Sequence, residues 1–337
     1  MATWNPLTNI TSSALIPTAN AKVLRKTALD VLEKSRHFGS CCFDDAIGKQ
    51  EGRKVVWYRP QNFAAAGLTI AVEGDIPSGL TYSNREVTAV LGNYSDWVGV
   101  STFLMDTSPT PDLQDASERL GYRGALRVDN LTRAVIDAEY IGMQQAALAP
   151  SGMLRVADLR AARTLMKNQD VKPMKASGNR FRTVISPVIG FDVINDPNIG
   201  GYGDIVKFNQ NVTQTPLVNY DMDDGLMDIA GCRILESTNV KTVVSGSTTS
   251  YYTYIIGEGA FGAVTMSARM PKVGNDPQKA RFNLYMGKGG PGPWDPTGEM
   301  GGFASYNFYY SAVCADGNPS IGGVYRGRII STTSSIA

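Results

Sequence analysis

Between Ser108 and Pro150 the chain carries a helix signal longer than any other it offers, and that signal limits what the rest can be. Ser108-Pro109-Thr110-Pro111-Asp112-Leu113 supplies a threonine cap, a proline at the first helical position and an acid in the first turn. Leu113, Leu120, Leu131, Val135 and Ala138 follow at helical spacings, with Leu126, Ile136, Tyr140 and Met143 beside them. Pro150 marks the stop. At 1.5 Å per residue this predicts a helix of roughly 55 Å. Gly121 and Gly124 weaken or bend it, at about 1 kcal/mol each relative to alanine. A helix of this length exceeds the usual three turns and suits a strut across an elongated molecule.

The flanking segments read differently. The first twenty residues are rich in Thr, Asn, Ser and Pro without periodicity, so they form no core alone. Ala21 to Phe38, with Val23, Leu24, Leu29, Val31 and Leu32 among Lys and Arg, suits a short amphipathic helix. Lys54-Val55-Val56-Trp57-Tyr58-Arg59-Pro60, Leu68 to Val72, Glu86 to Gly92 and Trp97 to Val100 read as strands. The turn-rich Glu73 to Gly79 joins them into a long hairpin too poor in apolar residues to be a domain, so it is expected to project. After Pro150 a second helix is expected from Ser151, using Leu154, Leu159, Ala162, Leu165 and Met166. Then come a strand at Phe181 to Ile185, a short helix after Ser186-Pro187, and loops over 200–225. Further strands are read at Ile229 to Glu236, Tyr251 to Ile256, Ala263 to Met266 and Phe282 to Met286. The loop Gly287 to Gly302 precedes a terminal strand pair, Ser305 to Val313 with Val324 to Ile330. No repeat period is visible.

The 337 residues allow one large domain or two smaller ones. Charged residues are 19% of the chain, a slightly low share that leaves surface free for burial against partners. The 32 basic and 31 acidic residues leave a net charge of +1, so any DNA contact is expected to be weak, sequence-independent and salt-sensitive. No stretch approaches the ~18 apolar residues of a membrane span, and the opening residues lack a signal-peptide pattern. The protein is therefore expected to fold in a cytoplasm. Cys41, Cys42, Cys232 and Cys314 show no C-x-x-C spacing and are read as free structural thiols.

Candidate chemistry is thin. Gly257-Glu258-Gly259-Ala260-Phe261-Gly262 matches the G-x-G-x-x-G dinucleotide fingerprint and follows a strand. The fingerprint also needs a helix to begin there, and Ala263 to Pro271 alternates like a strand, so a glycine turn between strands is the preferred reading. Lys288-Gly289-Gly290-Pro291-Gly292 lacks the order of a phosphate loop, and Asp221, Asp223 and Asp224 before Gly225 lack the order of an EF-hand. His37 is the sole histidine, which leaves no material for a His/Cys metal site and little for a Ser-His-Asp mechanism. No cofactor and no catalytic activity are expected.

The order of the elements is more informative than any motif. An arm, a projecting hairpin, a long helix, a second helix, an α/β lobe and terminal strands together resemble the α+β Hong Kong 97-type fold of tailed-phage and herpesvirus capsid proteins. Ser117-Glu118-Arg119-Leu120-Gly121-Tyr122, Val156-Ala157-Asp158-Leu159 with Leu165, Phe181 to Pro187, Ile229 to Ser237 and Gly259-Ala260-Phe261-Gly262 narrow the likeness. Together they are similar to the major capsid proteins of the coliphage N-four type. The resemblance implies an N-terminal arm and short helix at 1–50, an extended β-hairpin loop with adjoining strands at 51–105 and a peripheral domain with the spine helix at 106–180. It further implies an axial domain at 181–265 and a return to the peripheral domain with C-terminal strands at 266–337. It implies self-assembly into hexamers and pentamers of an icosahedral shell around double-stranded DNA, in a virion assembled in a bacterial cytoplasm. Scaffolding, decoration and portal proteins are candidate partners, and a membrane is not. An arm and a hairpin with few partners of their own need neighbours to bury them, so Val55, Trp57, Tyr58, Leu68 and Ile70 are expected at inter-subunit contacts. No lysine occurs between Val55 and Met166, so no covalent lysine crosslink is expected from the distal hairpin. The alternatives are an oligomeric enzyme binding a nucleotide at Gly257–Gly262 and an encapsulin-type cargo shell.

Overall fold

The computed structural model describes residues 10–11, 37–47, 51–60, 81–107, 112–140, 144–146, 152–196, 201, 220–221, 226–246, 248–266, 283–288, 295–315 and 326–334. In chain order its first strands are β1 (Ile10–Thr11), β2 (Cys42–Ile47), β3 (Lys54–Pro60), β4 (Asn84–Val90), β5 (Gly92–Ser101), β6 (Gln144–Ala146), β7 (Phe181–Ile185) and β8 (Tyr220–Asp221). They are followed by β9 (Leu226–Ile229), β10 (Cys232–Glu236), β11 (Thr242–Ser245), β12 (Thr248–Ile256), β13 (Phe261–Met266), β14 (Asn283–Lys288), β15 (Met300–Cys314) and β16 (Gly327–Thr333). Helices span Thr102–Thr107, Asp112–Tyr140, Val156–Asn168 and Pro187–Ile194.

A six-stranded sheet is built on β15, whose residues alternate between faces. Ala304, Tyr306, Phe308 and Tyr310 all point one way and are buried. That face receives Leu113, Leu120, Val128 and Leu131 of the long helix Asp112–Tyr140. The strand order is β1-β5-β15-β13-β2, with β14 also on β15. Both buried tyrosines keep their hydroxyls satisfied. Tyr306 donates to Asp96 at 2.6 Å, and Tyr310 meets Thr132 Oγ1 at 2.6 Å.

An eight-stranded sheet follows the order β6-β16-β12-β7-β10-β9-β8, with β11 on β12. The helices Val156–Asn168 and Pro187–Ile194 cover it through Leu159, Ala162, Met166, Ile189 and Val193, against Phe181, Ile185, Ile234, Ile255 and Ile330. The long helix joins the two halves. Beyond Leu131 its Val135 and Ile136 enter a third cluster with Phe38, Val184, Tyr254, Ile256, Phe261 and Ile329, which draws on strands of both sheets. Polar bonds fix that end. Asp129 accepts from Gly39 N at 3.1 Å and from Asn239 Nδ2 at 2.9 Å, Arg133 donates to Asn239 O at 2.6 Å, and Tyr254 donates to Asp137 at 2.7 Å.

Several expectations need correction. The long helix has 29 residues, about 43 Å at 1.5 Å per residue, and ends at Tyr140. Gln144–Ala146, read as helical, is a strand because it pairs in parallel with Ile329–Ser331, and tertiary pairing overrides propensity. The second helix begins at Val156, not Ser151. Gly152 turns the chain at φ +71, and Asp158 caps the start by accepting from Arg155 N at 2.8 Å. Leu165, expected in its buried stripe, is 39% exposed. Ile229 to Glu236 is a hairpin, not one strand. Ala230 and Gly231 both have positive φ, the geometry of a two-residue turn, and β9 runs back along β10. The terminal strands do not pair with each other. β15 lies beside β5 and β13, whereas β16 lies beside β12 in the other sheet. The helix Val156–Asn168 and β16 both belong with the eight-stranded sheet. The strand expected at Leu68 to Val72 and the helix expected from Ala21 fall outside the described residues, apart from His37 and Phe38, the second of which opens a 3-10 turn.

Candidate assembly surfaces

The hairpin β3–β4 is a two-stranded sheet by itself, in antiparallel register from Lys54 opposite Val90 to Pro60 opposite Asn84. Period-two alternation gives it two unlike faces. On one, Val55 stands opposite Ala89, Trp57 opposite Val87 and Arg59 opposite Arg85. Ala89 and Val87 are buried, and Val55 and Trp57 are half-buried against a cluster of Ile47, Ala89, Leu91 and Val264 from the same chain. Trp57 Nε1 donates to Asp45 Oδ2 at 2.9 Å, and its ring meets Phe43 edge-on at 5.5 Å between centroids. Arg59 donates to Ala315 O at 2.7 Å. These contacts anchor the hairpin to its own subunit.

The other face has Val56 opposite Thr88, Tyr58 opposite Glu86 and Lys54 opposite Val90. Here Tyr58 is 70% exposed and Val90 48%. The five residues expected at inter-subunit contacts are thus divided. Val55 and Trp57 face inward, Tyr58 faces outward, and Leu68 and Ile70 lie outside the described residues. The sequence pattern held the means to separate them, because odd and even positions of a strand point opposite ways. It also held Val90, which pairs across the outward face. The structure adds further exposed apolar groups that no motif marks, among them Phe103, Phe191, Val244 and Met286.

Gly257–Gly262 lacks the geometry of a dinucleotide site. The segment turns from β12 in one sheet into β13 in the other, and no helix begins there. Two of its amides are already committed to protein carbonyls. Gly257 N donates to Arg326 O at 2.7 Å and Glu258 N to Lys172 O at 2.9 Å. Gly259 takes φ +67, which explains that glycine as a turn residue. A dinucleotide needs free amides on a helix N-terminus, so this motif gives the enzyme alternative no support. Among the described residues no group of three His, Cys, Asp or Glu side chains could hold a metal. All four cysteines are free thiols, and burial pushes Cys41 and Cys232 up to about 11, which keeps them protonated and unreactive.

No family model matches the chain, and no curated protein matches it. Solved structures match along almost its whole length. The capsid of Ralstonia phage GP4 is 14% identical with a TM-score of 0.63, over 95% of this chain and 96% of that one. The acidic stable capsid of Helicobacter pylori bacteriophage KHP30 is 10% identical with a TM-score of 0.63, over 97% and 100%. The cyanophage Pam1 capsid is 12% identical with a TM-score of 0.62, over 99% and 100%. The chain therefore has the α+β fold of phage capsid proteins, the Hong Kong 97 type. Likeness at these identities concerns the fold, and the narrower resemblance to the N-four type stays an expectation from local patterns.

Proposed function

We propose that this chain is the major capsid protein of a tailed bacteriophage, a structural subunit that assembles into hexamers and pentamers and closes an icosahedral shell around double-stranded DNA. The observation that carries this reading is the near-complete mutual coverage with phage capsid chains, 95–100% in both directions for the three structures above. A chain that matches shell proteins over almost its whole length and theirs is suited to the same mechanical task. The hairpin supports the reading physically. A two-stranded sheet is marginal alone in water, and one face of this one is occupied by its own subunit while the other presents Tyr58 and Val90.

In this reading the long helix and the six-stranded sheet form the peripheral domain. The eight-stranded sheet with its two helices forms the axial domain, and β3–β4 is the root of the extended loop. Val56, Tyr58 and Val90 are then the hairpin residues that meet a neighbour, together with Leu68 and Ile70. Val55 and Trp57 set the angle at which the loop leaves the subunit. The shell is built in the host cytoplasm. Scaffolding, decoration and portal proteins are its candidate partners, and no membrane is involved; among the described residues no helix is long and apolar enough to cross one.

Electron microscopy and sedimentation of the purified recombinant protein test the proposal. Closed shells, tubes or hexameric rings are the expected result. A uniform monomer or dimer, both alone and with a scaffolding protein from the same phage, would remove it. Nucleic acid inside native particles separates a virus shell from a cargo shell.

A further inference from the structure

Resting on the capsid reading, we propose that the end of the eight-stranded sheet formed by Lys167, Lys172, Lys175 and Arg326 is the surface that meets packaged DNA, through its phosphates and without regard to sequence. The near-neutral total charge conceals a local excess. From Lys167 to Arg182 the chain carries five basic residues and one acid, Asp170, whereas the whole chain has 32 and 31.

The fold brings this stretch together with a sixth cation. The Val156–Asn168 helix ends with Lys167 in its last turn. The chain then folds back past the turn that follows β12, where Lys172 O accepts from Glu258 N at 2.9 Å. Arg326 reaches the same turn, donating from Nη1 to Glu258 O at 3.2 Å, while its carbonyl accepts from Gly257 N at 2.7 Å. Lys167, Lys172 and Lys175 are all exposed. Arg180 is paired with Asp228, and Arg182 donates to Ser40 O, so these two hold the surface in shape. Asp170, Asp228 and Glu258 are the carboxylates nearby in the sequence and contacts. Six cations against three acids leave an excess here, and the remainder of the chain is correspondingly acidic.

A surface of exposed lysines at one end of the sheet suits duplex DNA, which presents one negative charge per ~1.7 Å of axis. Lysine ammonium groups meet phosphates as point charges without fixed geometry, which is what a sequence-independent contact needs. Lys167 sits at a helix C-terminus, where its charge is also favoured by the helix dipole.

The test uses unassembled subunits and a fluorescent 25-base-pair duplex of mixed sequence, with anisotropy read between 50 and 200 mM NaCl. The variants are Lys167→Gln/Lys172→Gln/Lys175→Gln, and as control Arg119→Gln/Arg123→Gln/Arg127→Gln on the exposed ridge of the long helix. Three lost phosphate contacts lower the salt slope of log affinity by about 2.7, so between these salts the parent loses about 40-fold more affinity than the lysine variant. The control is expected to keep the parent's slope. Equal slopes for parent and lysine variant overturn the inference, as does a larger loss in the control. Binding of polyglutamate but not of the duplex by the parent also overturns it, and points to an acidic protein partner instead. Both variants are checked for shells by microscopy. Shells with unchanged DNA affinity sink this inference alone, whereas no assembly from the parent, both alone and with a scaffolding protein from the same phage, sinks the capsid reading.

Discussion

Trp57→Ala separates the two faces of the hairpin by energy. The indole is half-buried in its own subunit, edge-on to Phe43 at 5.5 Å, with a 2.9 Å hydrogen bond to Asp45. Truncating a fully buried Trp costs about 3–5 kcal/mol, so half-burial sets the apolar part near 2 kcal/mol. The bond to a carboxylate at a partly wet position adds about 1 kcal/mol. The expected destabilisation is about 3 kcal/mol. Over 337 residues the unfolding entropy is about 0.7 kcal/mol/K, which turns this into a fall in Tm of about 4 °C. Tyr58→Ala, one residue further and 70% exposed, stays within about 0.5 kcal/mol, or under 1 °C. Calorimetry of unassembled subunits reads both. In assembly assays the order reverses, with Tyr58→Ala reducing shell yield from a fully folded subunit. An unchanged Tm for Trp57→Ala, or an equal drop for Tyr58→Ala, would refute the inward and outward assignment.

Other outcomes follow from the same contacts. Burial raises the Asp129 carboxyl above the ordinary range, only partly offset by its bonds from Asn239 and Gly39. Its contribution to stability is then fully present below the unfolded pKa and lost as pH rises through the folded one. The Tm of the parent minus that of Asp129→Asn is therefore expected to grow as pH falls from 7 toward 4, and a difference independent of pH would contradict this. Tyr310→Phe removes one buried hydrogen bond, but Thr132 Oγ1 still donates to Val128 O at 3.1 Å, so no orphan donor remains. The expected cost is about 1 kcal/mol, read by urea denaturation. Gly257→Ala would place a Cβ 2.5 Å from Val171 Cγ1 and 3.0 Å from Arg326 O, lowering stability by about 1–3 kcal/mol, while ATP leaves the melting of the parent unchanged. Intact particles boiled in detergent are expected to run as single chains on a gel, because the distal hairpin has no lysine to crosslink.

The long helix was legible because its apolar spacing is a local signal, and so was the Phe181–Ile185 strand with the proline-led helix after it. The misreadings have non-local causes. Gln144–Ala146 becomes a strand only because β16, almost two hundred residues later, lies beside it. Tyr-, Phe- and Ile-rich terminal strands read as partners, yet each finds a better neighbour in a different sheet. The turn at Ala230-Gly231 was masked by the alanine, a residue that seldom takes positive φ. At the hairpin, the residue types were legible while the facing was not. Val55, Trp57 and Tyr58 all read as apolar; alternation sets Tyr58 apart from the other two, and only the contacts of Trp57 with Asp45 and Phe43 show which face turns inward.

The central claim is that this fold closes a shell with its hairpin laid on a neighbour. A cryo-electron microscopy reconstruction of particles formed by the recombinant protein tests it most directly. The account predicts capsomers in which Tyr58 and Val90 touch an adjacent subunit while Trp57 stays on Asp45 of its own. Particles in which the outward face of β3–β4 stays in solvent, or a protein that forms no closed assembly under any condition, would contradict it.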